Sequence, residues 1–271
     1  MDSVYTRLEH ALQETDVAKK CAAVAVLWGD FQADRLDLAA SALILGAHAV
    51  GGWPARPLLV PPREVPMRDP NTLQGQVALI HAIAHIEFSA INLALDAAYR
   101  FRAFPDVERR AYLADWIRIA DEERDHFSRV AQRLQELEAG YGDLPAHAGL
   151  WDAAIETEED FLDRMTLVPR VLEARGLDVT PGIRKKFEKI GDVAMLEALD
   201  VIYREEVGHV AAGTHWFQWG CAQQGLDAEL EFEQRAARLA QGRLRGPFNH
   251  AARKHAGFTA REMNFVQMHN A

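Results

Sequence analysis

Three observations predict an all-α protein built on an antiparallel four-helix bundle. Four long stretches, roughly 72–103, 106–139, 150–176 and 192–224, repeat apolar residues at helical spacing. Helix breakers lie between them, at Phe104-Pro105-Asp106, from Gly140 to Pro145, and from Gly176 to Asp192. Two stretches carry Glu-x-x-His, which puts a carboxylate and an imidazole on one helix face. Long helices with mostly short connections pack as antiparallel neighbours.

Composition defines the flanking segments. Residues 1–53 read as an N-terminal helical appendage, with an Ala-rich amphipathic stretch from Leu8 to Leu27 and a shorter one from Asp37 to Val50. Residues 54–71 form a connector with six prolines, extended because proline lacks an N–H and restricts the residue before it. The bundle occupies 72–225. Residues 226–271 hold a last helix, roughly 227–242, and a tail that packs back on the bundle. In that tail Gly246-Pro247-Phe248-Asn249 stops the helix, and Phe248, Phe258 and Phe265 suit docking better than solvation.

With 271 residues, 49% hydrophobic and 26% charged, the chain can bury a sizeable core. Its net charge of −10 provides no global attraction for nucleic acid, although Arg243, Arg245, Arg253, Lys254 and Arg261 gather locally. His250 and His255 join them, a composition suited to an anionic substrate if the tail docks near the open end of a site in the bundle; covering a hydrophobic seam or a dimer contact is the plainer reading. No run of 18 apolar residues suggests a membrane span, and Met1 to Lys20 lacks the apolar core of a signal peptide. A cytoplasmic location is expected. Cys21 and Cys221 are too few for a disulfide framework or a thiolate metal site.

Bundle sites for two metals take one Glu from each of two helices and Glu-x-x-His from each of the others. The chain offers that order: Glu87, then Glu123 with His126, then Glu173, then Glu206 with His209. Glu87 lies eighteen residues before Pro105 and Glu123 eighteen after it, so a hairpin turning there brings the two level. Ile83, Ala84, Ala90, Ile91 and Ala94 flank Glu87, where a carboxylate must be paired, protonated or metal-bound. The second hairpin is open to two readings. If the helix runs past Thr180 (as N-cap of a continuation, with Pro181 next) to Ile190, Glu173 sits near the level of Glu206; if it turns at Pro181-Gly182, Glu159 does.

Plainer readings apply to the neighbours. Each Glu-x-x-His could be a surface pair. Glu122 and Glu205 read as solvated or Arg-bound. His81 and His85 cannot share a site with Glu87, which is about 200° around the helix from His85, and read as hydrogen-bonded residues between helices. Asp96, Asp121 and Asp200 read as polar pairs rather than orienters of a ligand imidazole. Trp216, Phe217 and Trp219 read as core.

Five stretches carry a resemblance: His81-Ala-Ile-Ala-His-Ile-Glu87, Tyr141-Gly-Asp-Leu-Pro-Ala-His147, Val168-Pro-Arg-Val-Leu-Glu-Ala-Arg-Gly-Leu-Asp178, Glu205-Glu-Val-Gly-His-Val210 and Gly246-Pro-Phe-Asn249. The chain resembles a bacterial family of uncharacterised ferritin-like proteins, in the di-iron carboxylate superfamily, from about residue 54 onward. More distantly, Glu173-Ala174-Arg175 is similar to the third-helix motif of the tRNA-modifying monooxygenase that hydroxylates a prenylated adenosine. The resemblance implies a di-metal site with Glu87, Glu123, His126, Glu173, Glu206 and His209 as ligands, and favours Glu173 over Glu159. It does not carry a substrate, because one fold hosts many functions.

Four carboxylates and two imidazoles neutralise two divalent ions and suit iron, with manganese or a mixed iron and manganese pair as the other choices. The expected activity is an O₂-activating oxygenase or hydroxylase acting on a small molecule, with an electron donor; neither is named by the sequence. The alternative is iron handling of the ferroxidase type, and a third reading keeps the metal for structure only. The sequence leaves tRNA and a homodimer open as partners.

Overall fold

The computed structural model describes residues 1–39, 51–65 and 71–270. The protein is all-α: helices account for nearly all its regular structure. It divides into two compact units, Met1–Ile155 and Glu156–Ala271.

In the first unit, α1 (Val4–Gln13) and α2 (Val17–Gln32) replace the single stretch expected from Leu8 to Leu27. The cause is local, because Asp16 caps α2 by accepting from the Lys19 N–H. Short strands β1 (Asp2–Ser3) and β2 (Leu36–Asp37) pair in parallel, so no helix begins at Asp37. The rest of that expected stretch, 40–50, lies outside the described residues.

The Pro-rich connector is extended over its described part, 54–65, apart from a 3₁₀ turn at Pro62–Glu64. Backbone bonds tie it to the Tyr141–His147 loop, with Val60 N donating to Ala146 O and Ala146 N to Leu58 O.

The central hairpin of this unit is α3 (Leu73–Arg100) and α4 (Asp106–Glu136). Thr72 caps α3 through the Gly75 N–H, and Asp106 and Glu108 in the first turn of α4 match its dipole. By length and mean hydropathy α3 could cross a membrane, yet 72% of its most apolar window is buried inside the protein. It also carries buried His81, His85, Glu87, Asn92 and Asp96, polar groups that need partners. The short α5 (Gly149–Glu156) ends at the boundary between the units.

In the second unit, α6 (Phe161–Leu167) passes through a π turn (Val168–Glu173) into α7 (Ala174–Ile190). The expected third helix is therefore interrupted at 157–160 and then runs on past Gly176. Thr180 is no N-cap: Pro181 lies inside α7, and Thr180 bonds back to the Gly176 carbonyl. The chain turns at Gly191, whose φ of 71° suits glycine, and returns as α8 (Val193–Gln223). After α9 (Ala228–Leu239), the tail forms α10 (His250–His255) and α11 (Ala260–Met268). Phe258 and Phe265 are buried, and Phe248 is half-buried.

Candidate metal centre

Glu87 sits midway along α3, and Ile83, Ala84, Ala90, Ile91 and Ala94 around it are all buried. The register is visible about three helical turns nearer the connection, where the Tyr112 hydroxyl of α4 donates to the Ala97 carbonyl of α3 at 2.9 Å. Glu123 and His126, three apart on α4, share one face. His126 Nδ1 lies 3.3 Å from Glu87 Oε2 and 3.4 Å from Glu123 Oε2. The ligand-type atoms of these three side chains fall within 4.8 Å of one another. Glu87, Glu123 and His126 are 5%, 1% and 0% exposed, so the surface-pair reading fails for this Glu-x-x-His.

Burial opposes a charged imidazole at His126, but hydrogen bonds and charge from Glu123 and Glu87 outweigh it and raise the pKa to about 11. Nδ1 therefore carries a proton between two carboxylates. A cation in that position answers the same electrostatic demand.

In the second unit, Glu206 and His209 share a face of α8, with Nδ1 and Oε1 3.7 Å apart. His209 is fully buried and Glu206 nearly so. Glu173 closes the π turn, and its Oε2 is buried. Glu159 lies exposed on the bend between α5 and α6.

The neighbouring polar residues are satisfied as expected. Glu122 pairs with Arg118 and Glu205 with Arg204. Asp96, Asp121 and Asp200 pair with Arg100, Arg124 and Arg184. His81 and His85 are hydrogen-bonded, but to a loop rather than to another helix. The His147 carbonyl can only accept, so His85 Nε2 donates to it at 3.0 Å and Nδ1 accepts from the Tyr141 hydroxyl at 3.0 Å. Burial, the largest influence, pushes the His85 pKa down to about 4 and keeps that ring neutral. His81 Nε2 accepts from the Gly142 N–H.

Residues 13–264 match the family described as "Protein of unknown function (DUF455)". The chain belongs to that family. It is 42% identical over 267 residues to a Haemophilus influenzae protein described as uncharacterized, a match spanning 97% of this chain and 93% of that one. No solved structure matches it.

Sequence reasoning missed several features of this DUF455 chain. Lys20, fully buried, donates to the Ala11 and Leu12 carbonyls and to Asn92 Oδ1, closing the C-terminus of α1 onto α3. Arg170, in the π turn and fully buried, lies over the rings of Phe217, Phe232 and Phe258 and pairs with Glu262 at 2.7 Å. The sequence signal for the π turn was Pro169 inside an otherwise helical stretch. The basic tail is largely committed: Arg253 pairs with Asp178, Arg261 with Glu233 and Arg243 with Glu156.

Proposed function

We propose that Glu87, Glu123, His126, Glu173, Glu206 and His209 together hold two metal ions, iron by preference, in an O₂-activating oxygenase or hydroxylase. The observation that carries this reading is the buried gathering of Glu87, Glu123 and His126 on one hairpin. The donor set fits: carboxylate and imidazole are borderline-hard ligands suited to iron or manganese, and no thiol takes part. The second Glu-x-x-His, at Glu206 and His209, supplies the matching half. On this reading residues 72–225 are a ferritin-like four-helix bundle of α3, α4, the α6–α7 segment and α8, flanked by 1–53 and 226–271.

Bound iron supplies electrons and open coordination positions for reducing O₂. The protein's own part is to place four carboxylates and two imidazoles, and to bury them away from water. The proton on His126 Nδ1 would have to leave for that nitrogen to serve as a ligand, so metal uptake would release a proton. A small-molecule substrate and an electron donor complete the proposal.

The test is metal analysis of the purified full chain, followed by anaerobic Fe(II) loading and exposure to O₂ with visible spectra recorded. Two equivalents of iron and a new visible band on oxygenation support the reading. Oxidation of excess Fe(II), with no demand for an organic substrate, favours iron handling instead. Retention of two equivalents by the double variant Glu123→Ala, Glu206→Ala sinks the ligand assignment.

A further inference from the structure

We propose that Gly213 and Pro169 are a positioning pair whose contact brings Glu173 level with His209 in the second unit. It rests on reading Glu173, Glu206 and His209 as metal ligands. Glu206, His209 and Gly213 sit at i, i+3 and i+7 of α8 and therefore share one face. A Cβ at position 213 would overlap the ring of Pro169, so the π turn packs directly on that face here. Only glycine leaves room.

The contact fixes the register. From Gly213 and Pro169, four residues back along α8 is His209, and four residues on along the antiparallel segment is Glu173. Two further observations agree. Glu173 and His209 stand eighteen residues on either side of Gly191, where the hairpin turns. Arg184 of α7, seven residues before Gly191, pairs with Asp200 of α8, nine after it, at 2.6 Å, within two residues of the same register. The 18-residue symmetry that pairs Glu87 with Glu123 about Pro105 thus pairs Glu173 with His209, not with Glu206.

Pro169 also explains the π turn. It has no N–H for the Met165 carbonyl, and its ring crowds that carbonyl in a regular helix. Widening one turn relieves the crowding and rotates the residues after it relative to an unbroken α-helix. Glu173 is the last residue of the widened turn, and its Oε2 is buried. Without the turn, the same residue would point elsewhere on the helix.

The experiment loads the full chain with Co(II), whose visible absorption reports coordination number and donors. Gly213→Ala should keep its helical circular dichroism, lose roughly 10–100-fold in Co(II) affinity, and take on the spectrum of Glu173→Gln. Gly208→Ala is the control, since a Cβ there meets nothing within 4 Å, and it should match the wild type. Pro169→Ala removes both the ring that meets Gly213 and the cause of the π turn, and should likewise take on the spectrum of Glu173→Gln. A folded Gly213→Ala variant with wild-type affinity and spectrum overturns the proposal. If Gly213→Ala does not fold, Pro169→Ala decides alone: the spectrum of Glu173→Gln upholds the pair, and any other spectrum overturns it. If the wild type takes up no Co(II), the metal reading fails separately. A crystal structure of the metal-free wild type then decides the register, and Glu173 off the level of His209 overturns it.

Discussion

The side chain of Asn249 donates to the Leu177 carbonyl, the group that Pro181, four residues on, cannot serve. Proline inside a helix removes the bond to residue i−4, and the freed carbonyl needs another donor. Asn249 also donates to the Tyr203 hydroxyl at 2.9 Å, while its backbone N–H bonds Asp178 at 2.7 Å. Asn249, the last residue of the tail motif Gly246-Pro-Phe-Asn249, thereby answers a proline sixty-eight residues earlier.

Asn249→Ala should therefore destabilise the second unit by roughly 1–3 kcal/mol, the cost of a buried carbonyl left without a donor, with up to about 1 kcal/mol more from the lost cap of α10. Asn249→Asp keeps the cap oxygen and loses only the donors. Urea unfolding of the three proteins separates the two contributions, and equal midpoints for all three would refute the relationship.

Truncation after Arg245 should prevent the second unit from folding. It removes Glu262 from Arg170 and Arg253 from Asp178, leaving two buried charges unpaired, at roughly 3–5 kcal/mol each. Circular dichroism and limited proteolysis would show the loss. A truncated protein that stays folded would refute this structural role of the tail.

Lys20 sets a pH dependence in the first unit. Burial pulls its pKa down to about 7, partly countered by the charges of Cys21 and Glu14. The unfolded chain, with an ordinary lysine near 10.5, binds more protons between about 7 and 10.5. Stability from this group consequently rises with pH across that window. In the metal-free protein His126 acts oppositely: its raised pKa gives stability that is complete below about 6.5 and lost as pH climbs through about 11. Comparing wild type with Lys20→Met isolates the lysine. The wild type's advantage over the variant should grow from pH 7 to 10, and a pH-independent difference would show that the buried amine does not titrate there.

Glu173→Gln should weaken metal binding in the full chain, and Glu159→Gln should leave it unchanged. The reason is placement: Glu173 closes a buried π turn, whereas Glu159 lies exposed on a bend. Isothermal titration with Fe(II) under anaerobic conditions checks both, and the reverse ranking would undo the proposed ligand set.

Helical periodicity and proline placement were enough to read the all-α class, the long α3–α4 hairpin and the gathering of Glu87, Glu123 and His126. Those features depend on spacing along single helices and on one turn whose position Pro105 marks. The second hairpin was not legible in the same way. Gly176, Pro181 and Gly182 read locally as a stop, yet α7 runs through all three because Asn249 and Arg253 return from the tail to satisfy it. The π turn, the Gly213–Pro169 contact, the buried Lys20 and the Arg170 cage likewise needed partners far away in sequence. Local propensity is a sum over neighbours in the chain, whereas a proline's orphaned carbonyl or a buried charge is settled only by the segment that folds against it.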